Sequence, residues 1–323
     1  MNSSATVKAA VVESFDRPPR YRDFEAPVAH PGEVLVEVRA AALSQLVRAQ
    51  ASGRHYSSGS PPLVPGVDGV GRLENGDRVY FAFPKGPVGA MAERVAVPAA
   101  NTVPLPDDLD DVTAAAIANP GMSSWAALTG RAFLRKGQSV LVNGASGASG
   151  QLAIQIARHL GAGRVVATAR NPACEAALRA LGADAFLQLP SGKAELAELF
   201  REEVARGVDV VLDYLWGPPA EAFFAAVTGK GTGEAAPRIR FVNIGSLAGA
   251  SAVVEPAALR SSGLEIVGSG IGSLSHAELM QAIGDLMQAV HPAGLRIDAA
   301  ARPLSEVEAA WTEAGSERLV FTP

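Results

Sequence analysis

The chain has 323 residues, 48% of them hydrophobic and 19% charged, with a formal net charge of −5. That length predicts two domains at roughly 150 residues each, and that balance excludes a disordered chain and offers no basic surface for nucleic acid or an anionic membrane. The single cysteine, Cys174, excludes an internal disulfide framework and a thiolate-rich metal site, and no apolar run reaches the roughly 20 residues that span a bilayer.

Met1–Lys8 lacks the basic-then-apolar pattern of a signal peptide, so the expected location is the cytoplasm. The first hundred residues read as strands and turns. Val7–Val12 is a short apolar run, and Val34, Val36 and Val38 alternate with Leu35 and Glu37 at the period of a strand. Pro31-Gly32, Pro65-Gly66 and Asn75-Gly76 punctuate the region. Asn75-Gly76-Asp77 predicts a tight hairpin-like connection between Gly71–Leu73 and Val79–Phe83. Glu93–Val97 is a further strand, closed by Pro98.

Beyond Leu105 the pattern changes. Pro106-Asp107-Asp108 precedes a helix over Asp111–Ala118, with acids placed for the positive helix end. Asn119-Pro120-Gly121 is expected to break it, and a second helix is expected over Met122–Arg131. From Ser139 strands at 139–143, 164–169, 185–187, 208–213, 239–244 and 264–268 alternate with helices at 150–160, 172–181, 193–205 and 219–227. This alternation predicts an α/β fold with a doubly wound parallel sheet. Ser275-His276-Ala277-Glu278 has the form of a capping box and opens a helix to about Val290. The tail holds a short helix around Ser305–Trp311 and a strand near Leu319–Phe321.

The strongest local signal is the run from Ser139 to Gly150, SVLVNGASGASG. A buried strand enters glycines at 144, 147 and 150, and a helix follows with Leu152, Ile156 and Leu160 on one face. A pyrophosphate requires close backbone approach and free N–H donors at a helix N-terminus, which this arrangement supplies. The spacing is G-x-x-G-x-x-G, and a purely structural strand-to-helix turn would use the same glycines. Two features favour a dinucleotide: the loop opens an alternating unit, and the next strand ends about twenty residues later, where the ribose is read. The cofactor-binding candidates are Asn143, Gly144, Ser146, Gly147, Ala148, Ser149 and Gly150, with Thr168, Arg170 and Asn171 at the second strand end. An NAD site would place a carboxylate there. Arg170 instead suits the 2′-phosphate of NADPH, and its alternative role is that of a solvated strand-end residue.

These residues resemble the medium-chain dehydrogenase/reductase superfamily, in its zinc-free quinone-oxidoreductase (zeta-crystallin-like) branch. The resemblance rests on Pro65–Gly71 (PGVDGVG), Gly76–Val79 (GDRV), Leu105-Pro106-Asp107 followed by Ala114–Ala116, the loop Val142–Gly150, and Leu181–Asp184 (LGAD). It implies a Rossmann domain, residues 120–270, inserted into a GroES-like β-rich domain made of 1–119 and 271–323. It also implies a substrate between the two, an NADPH cofactor and a homodimer. Leu264–Val267 is, by analogy, an edge able to pair across a two-fold axis. Zinc-using relatives place a cysteine where Leu43-Ser44-Gln45 stands and a His-Glu pair where Val67-Asp68 stands, so no metal is expected. The chain departs from its branch at Cys174-Glu175, where a lysine is usual, and near Leu189, where a tyrosine is usual. Two customary supports of the 2′-phosphate are therefore absent.

The resemblance implies NADPH-dependent hydride transfer to a quinone or an α,β-unsaturated carbonyl. A hydroxyl could steady the anion that forms. The candidates are Ser44, at the place of the lost metal ligand, Tyr56 in a substrate loop, and Ser123 on the helix entering the second domain. Each could equally be a cap or a loop-surface residue. His55 reads as a solvated histidine, and Asp68 as a turn-stabilising carboxylate. Tyr214, Gly245, Ser246 and Gly270 follow sheet strands and are expected cofactor neighbours, since ligands bind beyond the carboxyl ends of such strands. Two alternatives are an enoyl-thioester reductase, which lacks a basic entrance for coenzyme A here, and a non-catalytic NADPH-binding or sensor protein.

Overall fold

A computed structural model of the chain describes residues 5–54, 58–229, 235–313, 315 and 317–323. It divides into two compact units, Met1–Asn119 with Met280–Pro323, and Pro120–Leu279.

The first unit is mostly strands. β1 (Thr6–Val11) and β2 (Arg20–Glu25) pair antiparallel. β3 (Glu33–Ala42) leads through α1 (Gln45–Ala51) to β4 (Asp68–Leu73) and β5 (Arg78–Ala82). β6 (Arg94–Pro98) and β7 (Thr102–Pro104) follow, and α2 (Asp111–Ala126) begins in this unit. The hairpin expected at Asn75-Gly76 is present. β4 and β5 pair antiparallel, the Leu73 N–H donates to the Asp77 carbonyl, and Gly76 takes a φ of +88°.

The second unit alternates strand and helix: β8 (Ser139–Asn143), α3 (Ala148–His159), β9 (Arg164–Ala169), α4 (Glu175–Ala180), β10 (Ala185–Gln188), α5 (Lys193–Arg206), β11 (Val210–Asp213), α6 (Gly217–Val227), β12 (Arg238–Asn243), α7 (Pro256–Arg260) and β13 (Gly263–Gly268). The sheet order is β10-β9-β8-β11-β12-β13, and every pair is parallel. The two halves wind outward from β8 and β11, the order of a Rossmann sheet. Parallel strands covered on both faces must be apolar throughout, and Val140, Leu141 and Val142 are fully buried. Phe200 of α5 and Phe223 and Phe224 of α6 cluster with Phe241 of β12, with ring centroids 4.9 to 5.5 Å apart.

α8 (His276–Ala289) opens on the expected capping box. The Glu278 N–H donates to Ser275 Oγ at 3.2 Å, and the Ser275 N–H donates to Glu278 Oε2 at 2.7 Å. β14 (Ala299–Pro303), α9 (Val307–Ala310) and β15 (Arg318–Thr322) complete the chain. β15 pairs antiparallel with β3 at Val320–Ala42 and Phe321–Ala41, so the C-terminal tail extends the sheet built by the N-terminal strands. β14 is added outside it in parallel.

One expected boundary is corrected. Asn119-Pro120-Gly121 does not separate two helices, because α2 runs unbroken through Pro120 and ends in a π-turn over Ala127–Arg131. Proline removes one backbone donor and crowds the preceding turn. Burial decides against the break here: residues 114–118 and Trp125–Leu128 are buried on either side. Serines also engage the local carbonyls, Ser123 Oγ donating to the Pro120 carbonyl at 2.7 Å and Ser124 Oγ to that of Gly121 at 3.0 Å.

Candidate functional site

The loops after β8, β9, β11, β12 and β13 emerge at one edge of the second unit's sheet, the carboxyl edge. Ligands of such sheets bind there, beside the strands where the order reverses. In the first of these loops Gly144 adopts a φ of +92°, a left-handed conformation that side chains resist. Its N–H donates to Thr168 Oγ1 at 3.1 Å, and the next N–H, of Ala145, donates to the Thr168 carbonyl at 2.8 Å. Gly150 allows the closest approach. A Cβ there would lie 2.6 Å from Ala145 Cα and from the Gly144 carbonyl oxygen, so the first turn of α3 presses directly on the loop.

The outer face of the same loop is open. Ser146 and Gly147 are exposed, and a Cβ on Gly147 would meet nothing. Gly147 caps α3 with backbone alone, since no side chain accepts from the first turn. The leading N–H groups of a helix have no acceptor within it, and here they point past a bare glycine. This donor set fits a pyrophosphate: unpaired amides at the positive end of a twelve-residue helix, with no side chain over them.

Arg170 follows β9, next to β8 in the sheet, with Thr168 in register with Asn143. It is exposed, and among the described residues its guanidinium has no hydrogen-bond or ion-pair partner. Asn171 is committed locally: its Oδ1 accepts from the Ala173 N–H at 3.0 Å and caps a short 3-10 turn.

Asn143 and Thr168 lie beneath the loop, with 1% and 0% of their surface exposed. Thr168 Oγ1 donates to Asn143 Oδ1 at 2.8 Å, and Asn143 Nδ2 donates to Asp213 Oδ1 at 2.8 Å. Asp213 closes β11 and is fully buried. It also accepts the N–H groups of Leu215 at 3.2 Å and Trp216 at 3.0 Å, and Nδ2 of Asn243 at 3.3 Å. Burial pushes its carboxyl above the ordinary carboxylate range, and these donors oppose that rise. Sequence reasoning missed this hub. The available signal was a carboxylate ending a strand of three apolar residues, Val210-Val211-Leu212, where it must find donors.

Tyr214 is buried, and its hydroxyl lies 3.5 Å from Ser123 Oγ. Burial pushes the phenol up to about 12, so it stays a neutral donor at physiological pH. Gly245 packs on the Tyr214 backbone, where a Cβ would lie 2.8 Å from the carbonyl oxygen, and Ser246 is exposed beside it. Gly270 is exposed in the loop after β13, its N–H donating to Ser273 Oγ at 2.8 Å. Arg131, in the π-turn, anchors the start of that loop by donating to the Gly268 carbonyl at 2.7 Å.

In the first unit Ser44 is the N-cap of α1, its Oγ accepting from the Val47 N–H at 3.1 Å. Tyr56 and His55 lie outside the described residues. Asp68 is buried with Tyr80, whose hydroxyl donates to Oδ2 at 2.9 Å. Desolvation pushes the Asp68 carboxyl up to about 6, while the charge of Arg318 and the Tyr80 hydrogen bond pull the other way. Among the described residues, no three His, Cys, Asp or Glu side chains converge as a metal site.

A family model described as zinc-binding dehydrogenase matches residues 148–288. That segment covers neither Ser44 nor Val67-Asp68, where the resemblance placed the zinc ligands of other branches. A probable NADPH-dependent quinone reductase, tdiC, of Emericella nidulans is 30% identical over 98% of this chain and 99% of its own. The solved structure of a quinone oxidoreductase from Thermus thermophilus, reported also in complex with NADPH, superposes with a TM-score of 0.79 and 31% identity, covering 98% of this chain and all of that one. A spectinabilin polyketide synthase system protein, NorB, of Streptomyces orinoci is 36% identical over 61% of this chain, a stretch that makes up 9% of NorB. With its sheet order, its open glycine loop and full-length likeness to quinone reductases, the chain belongs to the medium-chain dehydrogenase/reductase superfamily, in the zinc-free quinone-oxidoreductase branch.

Proposed function

We propose that the protein is an NADPH-dependent reductase that delivers hydride to a quinone or an α,β-unsaturated carbonyl. The observation that carries the cofactor choice is Arg170. It is exposed at the end of β9, without a partner among the described residues, beside a phosphate-ready loop. No carboxylate stands at the place where one would accept from a ribose 2′-hydroxyl. Bound NADPH would supply the hydride. The chain's own residues bind and orient. The first-turn amides of α3 hold the pyrophosphate, Arg170 pairs with the 2′-phosphate, and Tyr214, Gly245, Ser246 and Gly270 border the cofactor along the carboxyl edge. Ser44, Tyr56 and Ser123 are the proposed hydroxyl donors to the developing oxyanion. Ser123 has the most structural support, since its Oγ lies near the Tyr214 hydroxyl at the end of β11.

The likeness to part of a polyketide synthase favours a second electrophile, an enoyl thioester, reduced by the same hydride at the same kind of conjugated carbon.

The test is titration of the purified protein with NADPH and NADH, followed by loss of nicotinamide absorbance on adding 1,4-benzoquinone, a simple enone or a crotonyl thioester. We expect tighter binding of NADPH, and oxidation of it by at least one of these acceptors. Arg170→Ala should weaken NADPH about tenfold or more, the loss of a charge-assisted pair, and leave NADH unchanged. Equal affinity of the wild type for both cofactors would remove the role given to Arg170. Binding without oxidation by any acceptor would overturn the reductase reading.

A further inference from the structure

We infer that Asp213 is the positioning residue of the cofactor edge: one buried carboxylate whose four accepted hydrogen bonds hold three separate loops in their binding geometry. The inference rests on the reading of that edge as an NADPH site.

Both carboxylate oxygens are fully used. Oδ1 accepts from Asn143 Nδ2 at 2.8 Å and the Leu215 N–H at 3.2 Å. Oδ2 accepts from the Trp216 N–H at 3.0 Å and Asn243 Nδ2 at 3.3 Å. The partners reach different loops. Through Asn143 and then Thr168 the chain of bonds ends on the Gly144 N–H, in the turn that carries the open amides. Through Leu215 and Trp216 it holds a turn in which Trp216 has a φ of +57°, a conformation that a residue with a side chain adopts only when its surroundings enforce it. Through Asn243, whose Nδ2 also donates to the Gly245 carbonyl at 2.8 Å, it reaches the loop after β12. Asp213 itself is fully buried and touches no ligand surface. It acts through these loops.

Four donors converging on two oxygens define a chemical requirement. A carboxylate satisfies it and its amide isostere does not, because asparagine places an NH2 group against two donors. Asp213→Asn therefore keeps volume and shape while breaking the hub. Exchanging the pair, Asp213→Asn with Asn143→Asp, restores donor-to-acceptor matching between those two residues. It also keeps an acceptor for the Thr168 hydroxyl, and it sacrifices only the long Leu215 contact.

The experiment uses the full chain at a temperature well below its melting point, so that affinity is read per folded molecule. NADPH is titrated into wild type, D213N and the D213N/N143D exchange, and melting temperatures are recorded beside the dissociation constants. The wild type must bind NADPH. If it does not, the reading of the edge fails first and independently. Given binding, we expect D213N to weaken NADPH about tenfold, and the exchange to recover roughly threefold of it or more, as one restored hydrogen bond would. Wild-type affinity in folded D213N would overturn the inference, and so would an exchange variant no better than D213N. If D213N does not fold, Thr168→Val tests the same network from its far end, since it frees the Gly144 N–H without touching Asp213. A several-fold loss of NADPH affinity supports the inference, and unchanged affinity overturns it.

Discussion

Three buried carboxylates among the described residues are held by three different sets of partners. Glu203 is fully buried on α5 and answered by two arginines, Arg164 and Arg206. Asp213 is answered by four neutral donors. Asp68 receives one hydroxyl and a more distant cation, which is too little, and burial raises its carboxyl to about 6. The consequence for stability has a definite sign. In the unfolded chain this group titrates near 3.8, so between about pH 4 and 6 the folded protein binds the proton more tightly. The stabilisation from the protonated form is complete below pH 3.8 and is lost as the pH rises through 6. Asp68→Asn cannot titrate. The stability difference between wild type and variant, from urea melts at pH 4 and pH 7, should shift by roughly 2–3 kcal/mol against the wild type. Parallel profiles would show that Asp68 ionises normally. At this scale the sequence was only partly legible. Arg170 could be chosen because a strand end about twenty residues past the loop has one chemical task. Asn143 and Thr168 were chosen for adjacency, and the structure gives them the work of supporting the loop from below. Their partner, Asp213, lies 70 residues from Asn143, beyond any local pattern.

At the scale of elements, Gly150 sets two effects against each other. Alanine in the first turn of a helix gains roughly 0.5–1 kcal/mol over glycine. Here the added Cβ would stand 2.6 Å from Ala145 Cα, a backbone atom with no side-chain freedom to yield. The steric cost wins, and Gly150→Ala should lower the melting temperature and displace α3 from its loop. NADPH affinity should fall along with it. A variant as stable as wild type, with unchanged affinity, would mean that the loop has slack. Periodicity identified α3 and α5 because each has one apolar face, and α8 was legible from its capping box, to the residue. Pro120 misled for a physical reason: proline's local penalty of about 3 kcal/mol is smaller than the burial of the two flanking apolar turns. β2 left no signal, since Arg20–Glu25 has no alternation and buries almost nothing.

At the scale of the whole molecule, alternation of strand and helix was enough to predict the parallel sheet, because each crossover must pack on a face and successive strands lie near each other. The first unit's sheet was not legible to the same degree. β3 takes its partners β4, β6 and β15 from widely separated parts of the chain, and nothing local to Ala42 announces Val320. A ligand that binds only the folded protein stabilises it by mass action, by about 2.7 kcal/mol at roughly a hundred times its dissociation constant. NADPH should therefore raise the melting temperature more than NADH at equal concentration. The difference should vanish in Arg170→Ala. Equal shifts in the wild type would contradict the cofactor preference at the level of the folded chain.

The pairing of β15 with β3 also has a consequence during synthesis. The second unit is one uninterrupted stretch, Pro120–Leu279, and every partner its sheet requires has left the ribosome before β15 is made. The first unit, begun earlier, finishes later. Its long central strand keeps unpaired backbone groups at Ala41 and Ala42 until β15 arrives. Between the completion of β13 and the arrival of β15, late in translation, the nascent chain thus carries a nearly complete nucleotide fold together with a β edge that is still open, the kind of edge that recruits other strands. Truncations that remove β15 should accordingly yield sticky, chaperone-dependent products, although they would take away no residue of the cofactor edge.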